Sequence, residues 1–135
     1  MIGITDFIDK NIDKIIYFDC DIVIKCDISE LWNIDISNYS VGAVIDARNN
    51  DKHIERLKSD LGIPIDGLYF NSGIMLINLK KWREDNISEK VIKYVKNNPE
   101  RIKYCDQDGL NALLVQSWKK LDSKWNVQGY HYMSI

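Results

Sequence analysis

Lys14-Ile15-Ile16-Tyr17-Phe18-Asp19-Cys20-Asp21-Ile22-Val23-Ile24 runs four apolar residues straight into two aspartates and out again. A strand written this way is apolar on both faces, which predicts a central strand covered on each side. Acids are rarely buried without a partner, yet two adjoin this run. Strand side chains alternate, so Asp19 and Asp21 are expected on one side, with Cys20 pointing away. Two carboxylates about 4 Å apart repel by roughly 4 kcal/mol at an effective dielectric of about 20. A divalent cation turns that repulsion into attraction, and all-oxygen donors suit Mn²⁺ or Mg²⁺. The alternative is an exposed strand end whose two acids bind only water.

The chain has 135 residues, 45% apolar and 28% charged. That is the length of one domain with a hydrophobic core and the composition of a soluble globular protein. The net charge is −2, with lysines and acids interleaved, so no nucleic-acid partner and no polybasic membrane patch is expected. Cys20, Cys26 and Cys105 are odd in number, lack Cys-x-x-Cys spacing and accompany only two histidines. A disulfide framework or structural zinc site is therefore not expected, and a reducing compartment is. Residues 1–6 lack the basic-then-apolar pattern of a signal peptide, and no apolar run nears the roughly 20 residues that span a bilayer. A cytoplasmic location follows, peripheral at the inner face of the membrane at most.

Outward from the opening stretch, Thr5 to Asn11 reads as a short helix, and Asp27 with Glu30 forms a capping-box pattern for a turn packed down by Leu31 and Trp32. Val41 to Asp46 is a second buried strand that ends on an acid. Asp51 to Leu61 has helical spacing with Gly62 as C-cap, and a third buried strand runs from about Ile74 to Leu79. Lys80 to Asp85, Ser88 to Asn98 and Asp106 to Val115 read as helices, the second with Val91, Ile92 and Val95 inward. Trp118 to Val127 reads as a last strand. Buried strands alternating with helices predict an α/β domain around a mostly parallel sheet.

Ligands of such sheets bind beyond the carboxyl ends of the strands. Asp19 with Asp21, Asp46, and Asn71-Ser72 fall at such places, while Asp106-Gln107-Asp108 opens a helix that its acids can simply cap. Asn71-Ser72 is equally readable as a bulge that satisfies its own backbone. An apolar run followed by Asp-x-Asp fits two chemistries. The pair can hold a metal against the diphosphate of a nucleotide-sugar. Alternatively Asp19 is a nucleophile and Asp21 an acid/base, as in haloacid-dehalogenase-like phosphatases. The phosphatase pattern also needs a Gly-Asp acidic pair, and this chain has no Gly-Asp dipeptide.

Four stretches in order carry a resemblance: Ile16 to Val23; Leu31-Trp32 with Val41 to Asp46; Tyr69 to Trp82; and Asp106-Gln107-Asp108-Gly109-Leu110-Asn111. Together they resemble the retaining glycosyltransferases of family 8, which include bacterial lipopolysaccharide galactosyl- and glucosyltransferases and glycogenin. The resemblance implies a GT-A (nucleotide-diphospho-sugar transferase) fold, a UDP-sugar donor, a glycan or lipid-linked sugar acceptor, and Mn²⁺ (or Mg²⁺) held by Asp19 and Asp21. It implies that Asn71 and Asp106 hydrogen-bond the donor sugar, with Ser72 in the same substrate site. Gln107 matches the family residue beside the anomeric carbon, opposite UDP, and Asp46 the residue at donor or acceptor hydroxyls. Gln107 is a neutral amide and a poor nucleophile, which favours same-face attack over a covalent intermediate.

Family members also carry strands for the uracil and ribose upstream, and a His-x-x-Gly-x-x-Lys-Pro-Trp-type segment downstream that supplies a third metal ligand. Neither is found here, and His131-Tyr132 does not reproduce the latter. Residues 1–135 therefore read as a single domain, the central catalytic part of such an enzyme, inactive alone if those parts are essential.

Overall fold

The computed structural model describes residues 3–115 and 117–129. Lys14–Phe18 (β1), Val41–Ile45 (β2), Phe70–Asn78 (β3) and Lys119–Lys120 (β4) form one sheet in the order β1-β3-β2-β4. β3 pairs antiparallel with both neighbours, and β2 runs parallel to β4. The α/β class holds, but the expected mostly parallel sheet is corrected to a mixed one. Apolar residues on both faces of a strand report burial on both faces and carry no information on direction. β1 is correspondingly an edge strand of the described sheet with five half-buried residues, and β3 takes the central place.

Alternation divides the apolar side chains between two cores. Met75 and Ile77 of β3, with Val41 and Ala43 of β2, pack under Trp82, Ile87, Val91 and Leu110. These last four come from Leu79–Glu84 (α3), Ile87–Asn97 (α4) and Cys105–Leu113 (α5), if Ser29–Trp32 is α1 and Lys52–Asp60 is α2. Ile74 and Leu76 point the other way, onto Leu31, Ile36, Leu121 and Trp125. A third cluster, Ile54, Leu57, Leu61, Ile63 and Tyr69, seats α2. Gly109 lets α5 close on α4, because a Cβ there would lie 2.8 Å from both Val91 Cγ1 and Val95 Cγ2.

Several local expectations need adjustment. The first helix is a single 3₁₀ turn, Ile4–Asp6. Asp27 bonds the Ser29 N–H at 2.8 Å, while Glu30 pairs with Lys124 instead of closing a capping box, and Trp32 is 44% exposed. Asp51 does cap α2, and Gly62 follows it at φ +76°. Asn86, not Ser88, begins α4, and Ile92 faces outward at 38% exposure. Trp118 to Val127 yields only the two-residue β4 and a 3₁₀ turn, Ser123–Trp125, because Leu121 and Trp125 anchor it to the second core.

β3 starts four residues earlier than its apolar run. Opposite Ala43 and Val44 of β2 its partners jump from Met75 to Asn71, so Ser72, Gly73 and Ile74 bulge out of that ladder. The bulge changes the parity of the strand: Phe70 joins the Met75 core, against Trp118, although Ile74 and Leu76 point away from it.

Candidate active site

β1 ends at Phe18, and Cys20-Asp21 forms a turn, so strand alternation does not govern the aspartate pair. Asp19 remains in register, its N–H bonding Gly73 O at 2.8 Å. Its Oδ1 accepts the Tyr17 hydroxyl at 2.7 Å, the contact expected of residues two apart on one strand face. Burial, then the Asp19 hydrogen bond and charge, then the charge of Asp106 raise the Tyr17 hydroxyl above the ordinary phenol range. It stays a donor. Asp21 is exposed and borders a cleft of about 410 Å³ with Phe18, Ile22, Trp125 and Asn126.

Where β1 leaves the sheet, α5 takes over the edge of β3 with two amides four residues apart. Asn111 accepts the Phe70 N–H at 2.7 Å and donates to the Phe70 carbonyl at 2.9 Å. Gln107 Oε1 accepts the Ser72 N–H at 2.9 Å and its hydroxyl at 3.1 Å. Helical i, i+4 side chains thus serve strand residues i, i+2 as a substitute neighbour. The other end of Gln107 donates to the Tyr69 hydroxyl at 3.0 Å, which donates to Asp108 Oδ1 at 2.5 Å. Asp108 Oδ2 accepts the backbone N–H of Lys103 and Tyr104 at 2.6 and 2.7 Å, tying down the start of α5. Asp106 is half-buried and accepts the Gln107 N–H at 3.1 Å. Cys105, just before it, stands at φ +44°, a left-handed geometry that costs an L-residue about 1–3 kcal/mol.

Asp46 is 1% exposed and has Arg48 on both oxygens, Nε to Oδ1 at 3.1 Å and Nη2 to Oδ2 at 3.3 Å. Burial pushes this carboxyl up, but the Arg48 hydrogen bonds and charge, with one from Asn71, outweigh it and hold it below the usual range. Arg48 continues to the Tyr104 hydroxyl at 3.2 Å and lies 5.2 Å over that ring. Asn71 Nδ2 donates to Asp46 Oδ2 at 3.4 Å, and Asn71 Oδ1 accepts from Gly73 N and Asn126 Nδ2, both at 2.9 Å.

Asp19, Asp46, Asn71, Ser72, Asp106 and Gln107 therefore meet around the start of β3 and the end of β1, and Asp21 sits one turn further out. Ser72 is 9% exposed and bonded to Gln107, and Asp46 is saturated by Arg48. Tyr17, Tyr69, Asn111 and Arg48 belong to the site although no role was read for them in the sequence. Each lies at a legible offset: two before Asp19, two before Asn71, four after Gln107 and two after Asp46. Asn126 and Gln128 carry no such local signal.

The donor set expected for a metal is two carboxylates. Asp19 keeps one oxygen beyond its Tyr17 bond and Asp21 is exposed, which suits a hard cation; no group of three or more His, Cys, Asp or Glu side chains assembles among the described residues. His131 lies outside the described residues. No helix among them is long and apolar enough to cross a membrane.

The chain is 45% identical to General stress protein A of Bacillus subtilis over 99% of its own length and 46% of the relative's. It is 34% identical to a lipopolysaccharide 1,3-galactosyltransferase of Salmonella typhimurium over 93% of the chain and 38% of that protein. The solved structure of the galactosyltransferase LgtC with donor and acceptor sugar analogues superposes with a TM-score of 0.85 at 29% identity, covering 99% of this chain and 48% of that one. The chain thus spans less than half the length of these relatives. A model described as glycosyl transferase family 8 matches residues 2–134, so the chain belongs to that family and its mixed α/β sheet is a GT-A glycosyltransferase sheet.

Proposed function

We propose that the protein is a retaining hexosyltransferase that moves glucose or galactose from a UDP-sugar to a glycan or lipid-linked sugar acceptor, in lipopolysaccharide or cell-surface polysaccharide synthesis. The observation that carries this is the convergence of Asp19, Asn71, Asp106 and Gln107 on one strand end. The named activity of the galactosyltransferase relatives, and the donor and acceptor analogues bound to one of them, support it. Residues 1–135 supply the central catalytic part of that enzyme, working in the cytoplasm or against the inner membrane face. No observation favours the phosphatase alternative.

Asp19 and Asp21 would hold Mn²⁺ or Mg²⁺ through their carboxylate oxygens. The chemistry such a cation would supply is neutralisation of charge on the departing diphosphate. Asp106 accepts hydrogen bonds from sugar hydroxyls, and Asn71 donates to a sugar oxygen. Asp46 orients Asn71 and Arg48. Gln107 presents its amide oxygen to the sugar carbon when the Ser72 hydroxyl turns away, while the Ser72 N–H holds it in place. Asp108 is 0% exposed with both oxygens hydrogen-bonded, and Gln107 is neutral. Attack on the same face as departure fits such a wall better than a covalent intermediate.

The test is release of UDP and hexose from UDP-galactose or UDP-glucose by the full-length enzyme with Mn²⁺. Turnover should vanish with EDTA and fall at least about 100-fold in Asp19→Ala. Full activity of that variant would sink the metal assignment, and full activity of Gln107→Ala the role given to the amide.

A further inference from the structure

We propose that Asn126 is a positioning residue that, together with the Gly73 N–H and Asp46, holds the Asn71 amide with its nitrogen toward the substrate, making Asn71 a hydrogen-bond donor to an oxygen of the sugar nucleotide. The inference rests on the glycosyl-transfer reading for the substrate class, and on geometry for the amide itself.

An asparagine amide can sit in either of two orientations, so its neighbours must choose one. Gly73 offers a backbone N–H, which can only donate, 2.9 Å from one end of the Asn71 amide; that end is the oxygen. Asn126 Nδ2 donates to the same oxygen at 2.9 Å, across 55 residues of sequence. The opposite end meets Asp46 Oδ2 at 3.4 Å, and a carboxylate can only accept. Turning the amide over would set N–H against N–H on one side and oxygen against carboxylate on the other. The contact to Asp46 is long, and the second N–H of Asn71 has no protein partner among the described residues. Asn71 is half-buried, so that N–H is open to a ligand oxygen.

Asn126 is built to hold its place. It is 5% exposed and follows the turn of Trp125, itself 7% exposed in the second core. Two residues on, Gln128 accepts the Ala47 N–H at 2.8 Å and donates to the Ile45 carbonyl at 3.0 Å, fastening the segment to the end of β2. Gly73 leaves the space in which these groups meet: a Cβ there would lie 2.9 Å from Asn71 Oδ1, 3.4 Å from Asp19 Oδ2 and 3.8 Å from Asn126 Nδ2.

Asn126→Asp keeps the shape and replaces the donor by an acceptor. The expected result is a loss of about 10- to 100-fold in kcat/KM for UDP-galactose or UDP-glucose, with a smaller loss in Asn126→Ala, which adds no opposing acceptor. The double variant Asn71→Ala/Asn126→Asp should lose no more than Asn71→Ala alone, since Asn126 acts only through Asn71. Losses that multiply, or equal losses for the aspartate and alanine variants, would overturn the proposal. A second readout needs no turnover: the side-chain amide ¹⁵N–¹H signals of Asn71 should move in Asn126→Asp and Asn126→Ala while the backbone amides of β3 beyond Ile74 stay in place. Unmoved Asn71 signals would refute the proposal whatever the activity. Absence of turnover in the unaltered full-length enzyme, with the Asn71 signals moving as expected, would instead bring down the glycosyl-transfer reading and leave the positioning of the amide standing.

Discussion

Gln107 and Ser72 are joined twice, the amide oxygen of one taking both the backbone N–H and the hydroxyl of the other at 2.9 and 3.1 Å. Because a backbone N–H can only donate, the amide is oriented without ambiguity, and its oxygen has a partner before any substrate arrives.

The hydroxyl is the dispensable half of that pair. In Ser72→Ala the backbone bond remains and one lone pair of Gln107 is released. Donor hydrolysis should keep kcat and KM within about 3-fold of the unaltered protein. A KM raised by about 10-fold or more would place the Ser72 hydroxyl on the substrate instead.

Arg48 compensates a carboxylate that is 1% exposed while being itself 28% exposed. Arg48→Met should lower stability by about 2–4 kcal/mol at pH 7, somewhat under the loss for a fully buried pair. Asp46→Asn in the same chain should recover part of it. Because the folded Asp46 carboxyl lies below its unfolded range, its contribution is complete above about pH 4 and is lost as pH falls through the folded value. Denaturant midpoints should fall more steeply from pH 7 to pH 3 in the unaltered protein than in Arg48→Met, where burial acts on Asp46 without the opposing guanidinium and raises its carboxyl.

Tyr17 orients Asp19 through a single 2.7 Å bond. If Asp19 is a metal ligand, Tyr17→Phe should weaken half-saturation by Mn²⁺ by about 10-fold, the usual scale for a group that orients a ligand. An unchanged Mn²⁺ titration would separate Asp19 from the metal or Tyr17 from its orientation.

Tyr69 stands between Gln107 and the fully buried Asp108. Tyr69→Phe should lower stability by about 1–3 kcal/mol by leaving a carboxylate oxygen short of its donor. Burial and Asp108 raise the Tyr69 hydroxyl above its ordinary value, so the folded state retains that proton longer than the unfolded chain. Stability from this group is therefore complete below about pH 10 and declines above it. Thermal melts between pH 8 and pH 11 should show a steeper alkaline loss for the unaltered protein than for Tyr69→Phe.

Gly73→Ala places a methyl 2.9 Å from Asn71 Oδ1 and 3.4 Å from Asp19 Oδ2. Activity should fall by about 10-fold or more through displacement of those two groups, with thermal stability reduced by about 1–3 kcal/mol. An alanine variant with ordinary kinetics would show that neither group needs its present position.

The sequence by itself determined the family. Its ordered motifs lie at strand ends and helix starts, where apolar runs give way to polar residues, and local pattern reports such changes faithfully. Asp19, Asn71, Asp106 and Gln107 were legible for that reason, and Tyr17, Tyr69, Asn111 and Arg48 were within reach through fixed strand and helix offsets. The tertiary structure decided the rest. Strand direction came from the pairing of β3 with two strands distant in sequence, and two-faced burial is the same for either direction. The bulge at Ser72–Ile74 moved the start of β3 and turned Ser72 toward Gln107. Asn126 reaches Asn71 only because Trp125 packs in the second core and Gln128 fastens to β2. A hydrogen bond across 55 residues leaves no trace in local spacing, since chain closure, not periodicity, brings its partners together.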